Sequence, residues 1–595
     1  GSPALDSARA QLAGLYARSD RREEALALYR TIVGQASGRP LTSLRALMRP
    51  YFALLLEDGA PGATSAAAVS DAGAVGDLFV ASQLLQRSGL AQTQAVLARE
   101  LSGGSDEAAE LFRAATNLTR ALEQARQGVQ QLEALASPSA DQTLLLAERR
   151  AGLAALEAEQ AGLLQQLAEN PRYRAVSEGS VTLAELREAL RPEEAYLKMV
   201  VIDPAAYMIF ITPQEVKAWR IDASAAELEK TVTTIRESIA VVDSGQVLTY
   251  PFDVATARGL YTQLFAPVAD RLPAVQHIIF EPDGALLKLP LNLLVTDDAS
   301  VARYQQRSTA PGGDEYDFRE IAWLGRNAQI STAVAPAAFR AVRAAKRSNA
   351  AKAYLGLGEN APLAGTECTA ARTRAALEGG ENCLWSPGIW GRPIKADELY
   401  AAAARFGEGT RVVTRADFSD SAIRQMPDLA DYRVLHFATH GLVTAPQPQC
   451  PPRPALLTSF GGEDSDGLLT FAEIFNLKID ADLVILSACD TAGSATLGAT
   501  REAGVTTGGD FALDGLVRAF VGAGGRTVLA SHWPVPDDFD ATKRLISGLF
   551  SGDGTSTAAA LRRSQLELMD DAATSHPFYW SAFAVVGDGA AALVR

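Results

Sequence analysis

Two stretches of this chain end an apolar run on a side chain capable of covalent chemistry. YRVLHFATHGL (432–442) leads to His440, and ADLVILSACDTAG (481–493) leads to Cys489. A free thiol has a pKa of about 8.5 and is mostly protonated at neutral pH, whereas the thiolate is the nucleophile. A neighbouring imidazole takes that proton and later returns it to a leaving amine. Gly441 directly follows the histidine, and its lack of a side chain lets its N–H approach a developing oxyanion. The N–H of Cys489 is the natural second donor. Ser487, Ala488, Thr491, Ala492 and Gly493 are small and leave room for a polypeptide. The pattern reads as a Cys–His dyad for acyl transfer through a thioester.

Such a dyad needs elements that bring its members together. Between the two runs lies DGLLTFAEIFNL, a helical segment that Asp466 or Thr470 can cap. A β-α-β unit makes its strands parallel neighbours with both C-terminal ends on one edge, where α/β proteins place their ligand sites. From about residue 176, further short apolar runs alternate with helical segments: AYLKMVVI, AYMIFIT, HIIFEP, AYLGLG, RTVLAS and SAFAVVG. These predict an α/β domain with a mostly parallel sheet covered on both faces. Loops at 300–318, 441–466 and 493–510 are longer than simple connections require.

Residues 1–172 are rich in Ala, Leu, Glu, Gln and Arg, and predict helices throughout. Leu12, Ala13, Tyr16, Ala25, Tyr29 and Ile32 match the small/large pattern of one tetratricopeptide repeat, with an ordinary helical hairpin as the alternative. A lone repeat is expected to be the last of a truncated array. Heptad-like stretches at roughly 105–136 and 139–169, separated by SPSA, predict an antiparallel helical hairpin.

At 595 residues and 48% hydrophobic, the chain can bury a large core across several domains. A formal charge of −15 without a long basic run argues against nucleic acid as a partner. No apolar run is long enough to span a membrane. Gly1-Ser2-Pro3 reads like an expression scar, so the natural N-terminus is expected to be missing, along with any leader. Four cysteines form no CxxC, and the five histidines are scattered, so no metal site and no cofactor are expected. Cys368 and Cys383 are spaced either as two unrelated thiols or as a disulfide. Alanine-rich, lysine-poor composition suits a bacterial source, and free thiol chemistry suits the cytoplasm, with export the alternative.

The chain resembles a known family at these residues. LHFATHG and LSACDTAG are similar to the signature motifs of CHAT domains, caspase-like cysteine proteases often joined to tetratricopeptide repeats. The likeness continues through IIFEPDGALLKLPLNLL (278–294), DGLLTFAEI (466–474), LDGLVRAFVGAGGRTVLASHWPVPDD (513–538) and HPFYWSAFAVVGD (576–588). It implies a caspase-like fold over 176–595, with one half at about 176–345 and the catalytic half at about 346–595. Ahead of it are tetratricopeptide-like helices (1–60) and a helical linker with hairpin (61–172). It also implies His440 as base and acid and Cys489 as nucleophile. Ser531, His532 and Trp533 would then bind substrate backbone; a leucine is usual at 532, so His532 either tunes specificity or covers the groove.

Several residues have two readings. Asp490 either lines a pocket for Arg or Lys or hydrogen-bonds its own loop. Asp510 and Asp514 are further pocket candidates, with Asp514 alternatively a helix cap. Trp533 is a groove wall or a core aromatic. Arg501, in the loop after the nucleophile strand, is a candidate self-cleavage site. His436, His277 and His576 read as hydrogen-bonded structural histidines, and Cys450 as a loop thiol. The glycines of GLGENAPLAG (356–365) fit no phosphate-binding pattern and read as a turn. A cysteine endopeptidase, acting on protein or peptide substrates and receiving an activator through its N-terminal helices, is the first expectation. A silent partner-binding scaffold and a cysteine acyltransferase or amide hydrolase are the alternatives.

Overall fold

The computed structural model describes residues 3–36, 42–56, 68–85, 145–153, 155–156, 180–243, 246–362, 385, 387–442, 455–462, 465–489, 510–533, 538–552 and 555–593. The cysteines 368, 383 and 450, Asp490, Arg501 and nearly all of the heptad-like stretches lie outside them. The chain forms two compact units, one of residues 1–90 with 178–595 and one of residues 91–177. Among the described residues no helix is long and apolar enough to cross a membrane.

The larger unit is built on strands β1 (Glu194–Ile202), β2 (Ala205–Ile211), β3 (Val216–Ser224), β4 (Val241–Asp243) and β5 (Gln246–Leu248). Then follow β6 (His277–Glu281), β7 (Gln329–Thr332), β8 (Lys352–Asn360), β9 (Thr410–Arg415) and β10 (Tyr432–Leu442). The last are β11 (Ala455–Leu457), β12 (Leu468–Thr470), β13 (Ala481–Cys489), β14 (Gly525–Ser531) and β15 (Phe583–Gly587). Apart from the β4–β5 hairpin they form one sheet. Its core order is β8-β10-β13-β14-β15-β7-β6-β1-β2-β3, with β9 beside β8 and β11–β12 beside the tip of β10.

β9, β8, β10, β13 and β14 are mutually parallel, and so are β15, β7, β6 and β1. The two sets meet at the antiparallel β14–β15 pair. The last strand of the chain thus completes the sheet of the first half. Central strands covered on both faces must be apolar at successive positions, and β10 is buried along nearly its whole length.

Two of the expected turns and loops are regular structure. Gly356 and Gly358 lie inside β8, because a Cβ at 358 would come within 2.3 Å of the Ala438 carbonyl oxygen and 3.0 Å of Leu399. Glycine here serves close packing, with no turn involved. The loop expected at 300–318 begins as the helix Asp298–Ser308, in which the Asp297 side chain accepts from the Ser300 N–H and Val301 and Tyr304 face the core. Its polar outer face conceals it in composition.

The N-terminal helices Pro3–Arg18 and Arg22–Ala36 pack as the small/large pattern requires: Ala13, Ala25, Tyr29 and Ile32 are buried. Leu12 instead points to solvent. Tyr29 stacks on Tyr51, and this helical core continues into one face of β1–β3, where Phe52 meets Tyr207. Arg45 closes the junction by donating to the Val201 carbonyl at 2.9 Å and to Asp283 at 2.9 Å.

Candidate active site

The β10–β13 ladder runs from Val434↔Leu483 to a final pair, His440↔Cys489. Paired residues on neighbouring strands occupy the same face of the pleat, with strands about 4.8 Å apart. The dyad positions therefore share one face at one rim of the sheet. Thr470, not Asp466, caps the intervening helix Phe471–Asn476, in a capping box with Glu473. Asp466 instead accepts from the Leu468 N–H.

His440 is 7% exposed, and its Nε2 lies 2.6 Å from the Arg392 carbonyl oxygen. A carbonyl only accepts, so Nε2 carries the proton and Nδ1 is the basic nitrogen. Burial lowers the His440 pKa from 6.5, and the Arg392 bond only partly offsets this, so the ring is neutral at pH 7. A neutral imidazole with a fixed tautomer is what proton removal from a thiol requires.

Arg392 is a position at the candidate site that sequence reasoning missed. Its contribution is a backbone carbonyl, which no residue type announces. Trp390 anchors this segment: its indole N–H donates to the Thr458 carbonyl at 3.0 Å, its ring packs on Phe460, and its own carbonyl accepts from Asn360. Gly467, at φ 75°, makes room for that pair, since a Cβ there would lie 3.0 Å from Phe460 and from the indole nitrogen.

Gly441 continues β10 and pairs with Leu456 of β11. Ser531 is buried at the end of β14, paired with Phe583. Leu486 pairs with Ala530, so strand alternation sets Ser531 on the face of residue 489, and Ala530 and His532 on the opposite face. The His532 N–H donates to the Ala582 carbonyl at 2.8 Å. Its ring lines an apolar cavity of about 80 Å³ shared with Leu286, Leu291, Ala530 and Ala584. Burial, with Arg236 nearby, pushes its pKa down to about 3. Trp533 is buried, and its indole N–H donates to the Phe578 carbonyl at 3.1 Å.

Asp510 opens the helix Asp510–Ala523, which puts Asp514 within the helix, where it cannot cap its start. His436 is fully buried with both ring nitrogens engaged, by the Tyr354 hydroxyl at 2.8 Å and Ser487 Oγ at 3.2 Å. His277 is held between Glu194 and Ser331. His576 accepts from the Phe578 N–H and donates to the Tyr250 carbonyl, and burial lowers its pKa to about 4.

A family model for the CHAT domain matches residues 254–588. The chain belongs to the CHAT domain family. That match takes in the dyad and strands β6–β15, and CHAT domains are a caspase-like family associated with cysteine proteases. The human protein named Tetratricopeptide repeat protein 28 is 29% identical over 236 residues, covering 34% of this chain and 9% of that protein. The mouse protein of the same name is 32% identical over 122 residues, covering 20% of this chain and 4% of that protein. The chain thus spans under a tenth of the length of either relative. Their name agrees with tetratricopeptide-like helices ahead of the CHAT domain here.

Proposed function

We propose that this chain is a cysteine endopeptidase. The observation that carries the reading is the terminal register pair His440↔Cys489, with the imidazole tautomer set by the Arg392 carbonyl. In the proposed cycle, His440 Nδ1 takes the Cys489 thiol proton and the thiolate attacks the peptide carbonyl. The oxyanion is met by the Gly441 and Cys489 N–H groups. The imidazolium then protonates the departing amine, leaving a thioester that water hydrolyses with His440 again as base. Each well-placed oxyanion donor is worth about 10²–10³ in rate.

Asp490 is proposed to select Arg or Lys before the scissile bond, and the backbone of 531–533 to hold the substrate chain. The N-terminal helices are proposed to receive an activating protein. Their packing on β1–β3 and the Arg45 bonds to Val201 and Asp283 give such a signal a rigid route into the CHAT domain.

The test is labelling by a peptidyl electrophile, compared between the native chain and Cys489→Ala, followed by a peptide-library digest. Labelling at residue 489 with cleavage after basic residues supports the reading, and Asp490→Asn is expected to erase that preference. A native chain that neither labels nor cleaves, with or without its helical region engaged, leaves a partner-binding scaffold. A cut at Arg501 that is absent in Cys489→Ala identifies self-cleavage.

A further inference from the structure

Among the described strands, the end of β13 has a neighbour on one side only. Its ladder with β14 stops at Leu486↔Ala530, so residues 487–489 pair with β10 alone among the described strands. On its other side β10 keeps β8 as far as Ala438, the partner of Ser487, and pairs with β11 from Gly441. Strand ends with a single neighbour open at low cost, yet a proton transfer between residues 440 and 489 needs a fixed geometry within a few tenths of an ångström.

Side chains from four elements converge on this weak point. His436 sits on the same face as His440, one turn of the pleat repeat below Ala438. Its Nδ1 meets the Tyr354 hydroxyl of β8 at 2.8 Å. Its Nε2 lies 3.2 Å from Ser487 Oγ of β13 and 3.4 Å from Glu398 Oε1 of the helix Asp397–Ala403. Burial raises the Tyr354 pKa well above its ordinary value, so the phenol keeps its proton and is able to donate it to Nδ1. In that tautomer Nε2 carries the ring proton and meets Ser487 Oγ. That Glu398 oxygen is buried and makes no hydrogen bond, so its approach to Nε2 is a polar contact only. Gly356 and Gly358 permit the arrangement: a Cβ at either would lie within 3.2 Å of Leu399, in the same helix as Glu398.

We propose that His436 is a positioning residue for the dyad, clamping Ser487 of β13 to Tyr354 of β8 so that residue 489 stays opposite His440. The imidazole bridges three strands two positions below the nucleophile, where the backbone pairing of β13 has thinned. It touches no reacting atom. It acts through the register it enforces, and the proposal rests on the peptidase reading.

The experiment is site-resolved alkylation of Cys489 by iodoacetamide across pH 5–10, read by mass spectrometry on the intact chain, which needs no substrate. A neutral His440 that takes the thiol proton during attack sustains alkylation at pH values where an ordinary thiol, of pKa about 8.5, is protonated. His436→Phe is expected to move the profile toward that value and slow alkylation at pH 7 about tenfold, the effect of one pKa unit. His436→Gln, which keeps an N–H near Nε2, is expected to lie between. Leu355→Ala, a core variant on β8 facing away from the cluster, controls for lost stability and is expected to keep the native profile at a similar melting temperature. Should His436→Phe not fold, Ser487→Ala and Tyr354→Phe report on the same clamp. An unchanged profile in the folded clamp variants, or an equal shift in Leu355→Ala, overturns the inference while leaving the peptidase reading standing. A native Cys489 that titrates as an ordinary thiol overturns both.

Discussion

Replacing Arg343 by methionine tests how the last strand of the chain is held to the sheet of the first half. Arg343 lies in the helix Pro336–Ala344 and reaches Glu194 at the start of β1 through two bonds of 2.8 and 3.0 Å. It also pairs with Asp588, just past β15, at 2.7 Å. Both carboxylates are buried, Glu194 at 1% exposure and Asp588 at 6%. Removing the cation leaves two buried charges without their partner, a change that costs about 3–5 kcal/mol. The Glu194 pKa gives a second route to the magnitude. Burial alone would raise it, but bonds from His277, Arg343 and the Arg191 N–H bring it from 4.5 to about 2. That net shift, shared among the three partners and set against burial, corresponds to about 3 kcal/mol. A carboxyl with a depressed folded pKa stabilises above its unfolded value. The contribution is therefore complete above about pH 4.5 and disappears as pH falls toward 2.

Equilibrium urea unfolding followed by tryptophan fluorescence, at pH 7 and at steps down to pH 3, measures the gap between native and Arg343→Met. The gap should be about 3 kcal/mol or more at neutral pH and narrow through the window below pH 4.5. Adding Glu194→Gln should recover part of it, since the orphaned charge is then gone. A gap under about 1 kcal/mol at pH 7, or one that does not change with pH, refutes the electrostatic account of this junction.

Gly358→Ala is expected to destabilise the chain by more than about 2 kcal/mol, because its Cβ would lie 2.3 Å from the Ala438 oxygen; a thermal melt indistinguishable from native contradicts this. Because burial lowers the His440 pKa, the acid limb of Cys489 alkylation or of peptide cleavage should fall below pH 6.5, where the imidazole becomes protonated; a limb above 6.5 contradicts a buried neutral base. Arg45→Met should cost about 2–3 kcal/mol and quicken limited proteolysis of residues 1–85, since it cuts the bonds to Val201 and Asp283. Equal digestion rates would show that apolar packing alone secures the helices.

The sequence by itself determined the dyad's neighbourhood. Two long apolar runs with a helix between them pointed to parallel, neighbouring buried strands, which would bring His440 and Cys489 to one edge. Asp466 and Thr470 were the two candidate caps for the helix between the runs, of which the structure uses Thr470, and Ala13, Ala25 and Tyr29 announced a close-packed pair of helices. Each of these signals resides in side-chain types a few residues apart. Tertiary structure alone decided the rest. The Arg392 carbonyl that selects the His440 tautomer is a backbone group. The clamp around His436 joins residues from 354 to 487 that no short window contains. Gly356 and Gly358 look like a turn until a neighbouring helix and β10 occupy the space a Cβ would need. β15 completes the sheet of the first half from the far end of the chain, because a strand's partner is set by which edge remains open after the others have paired.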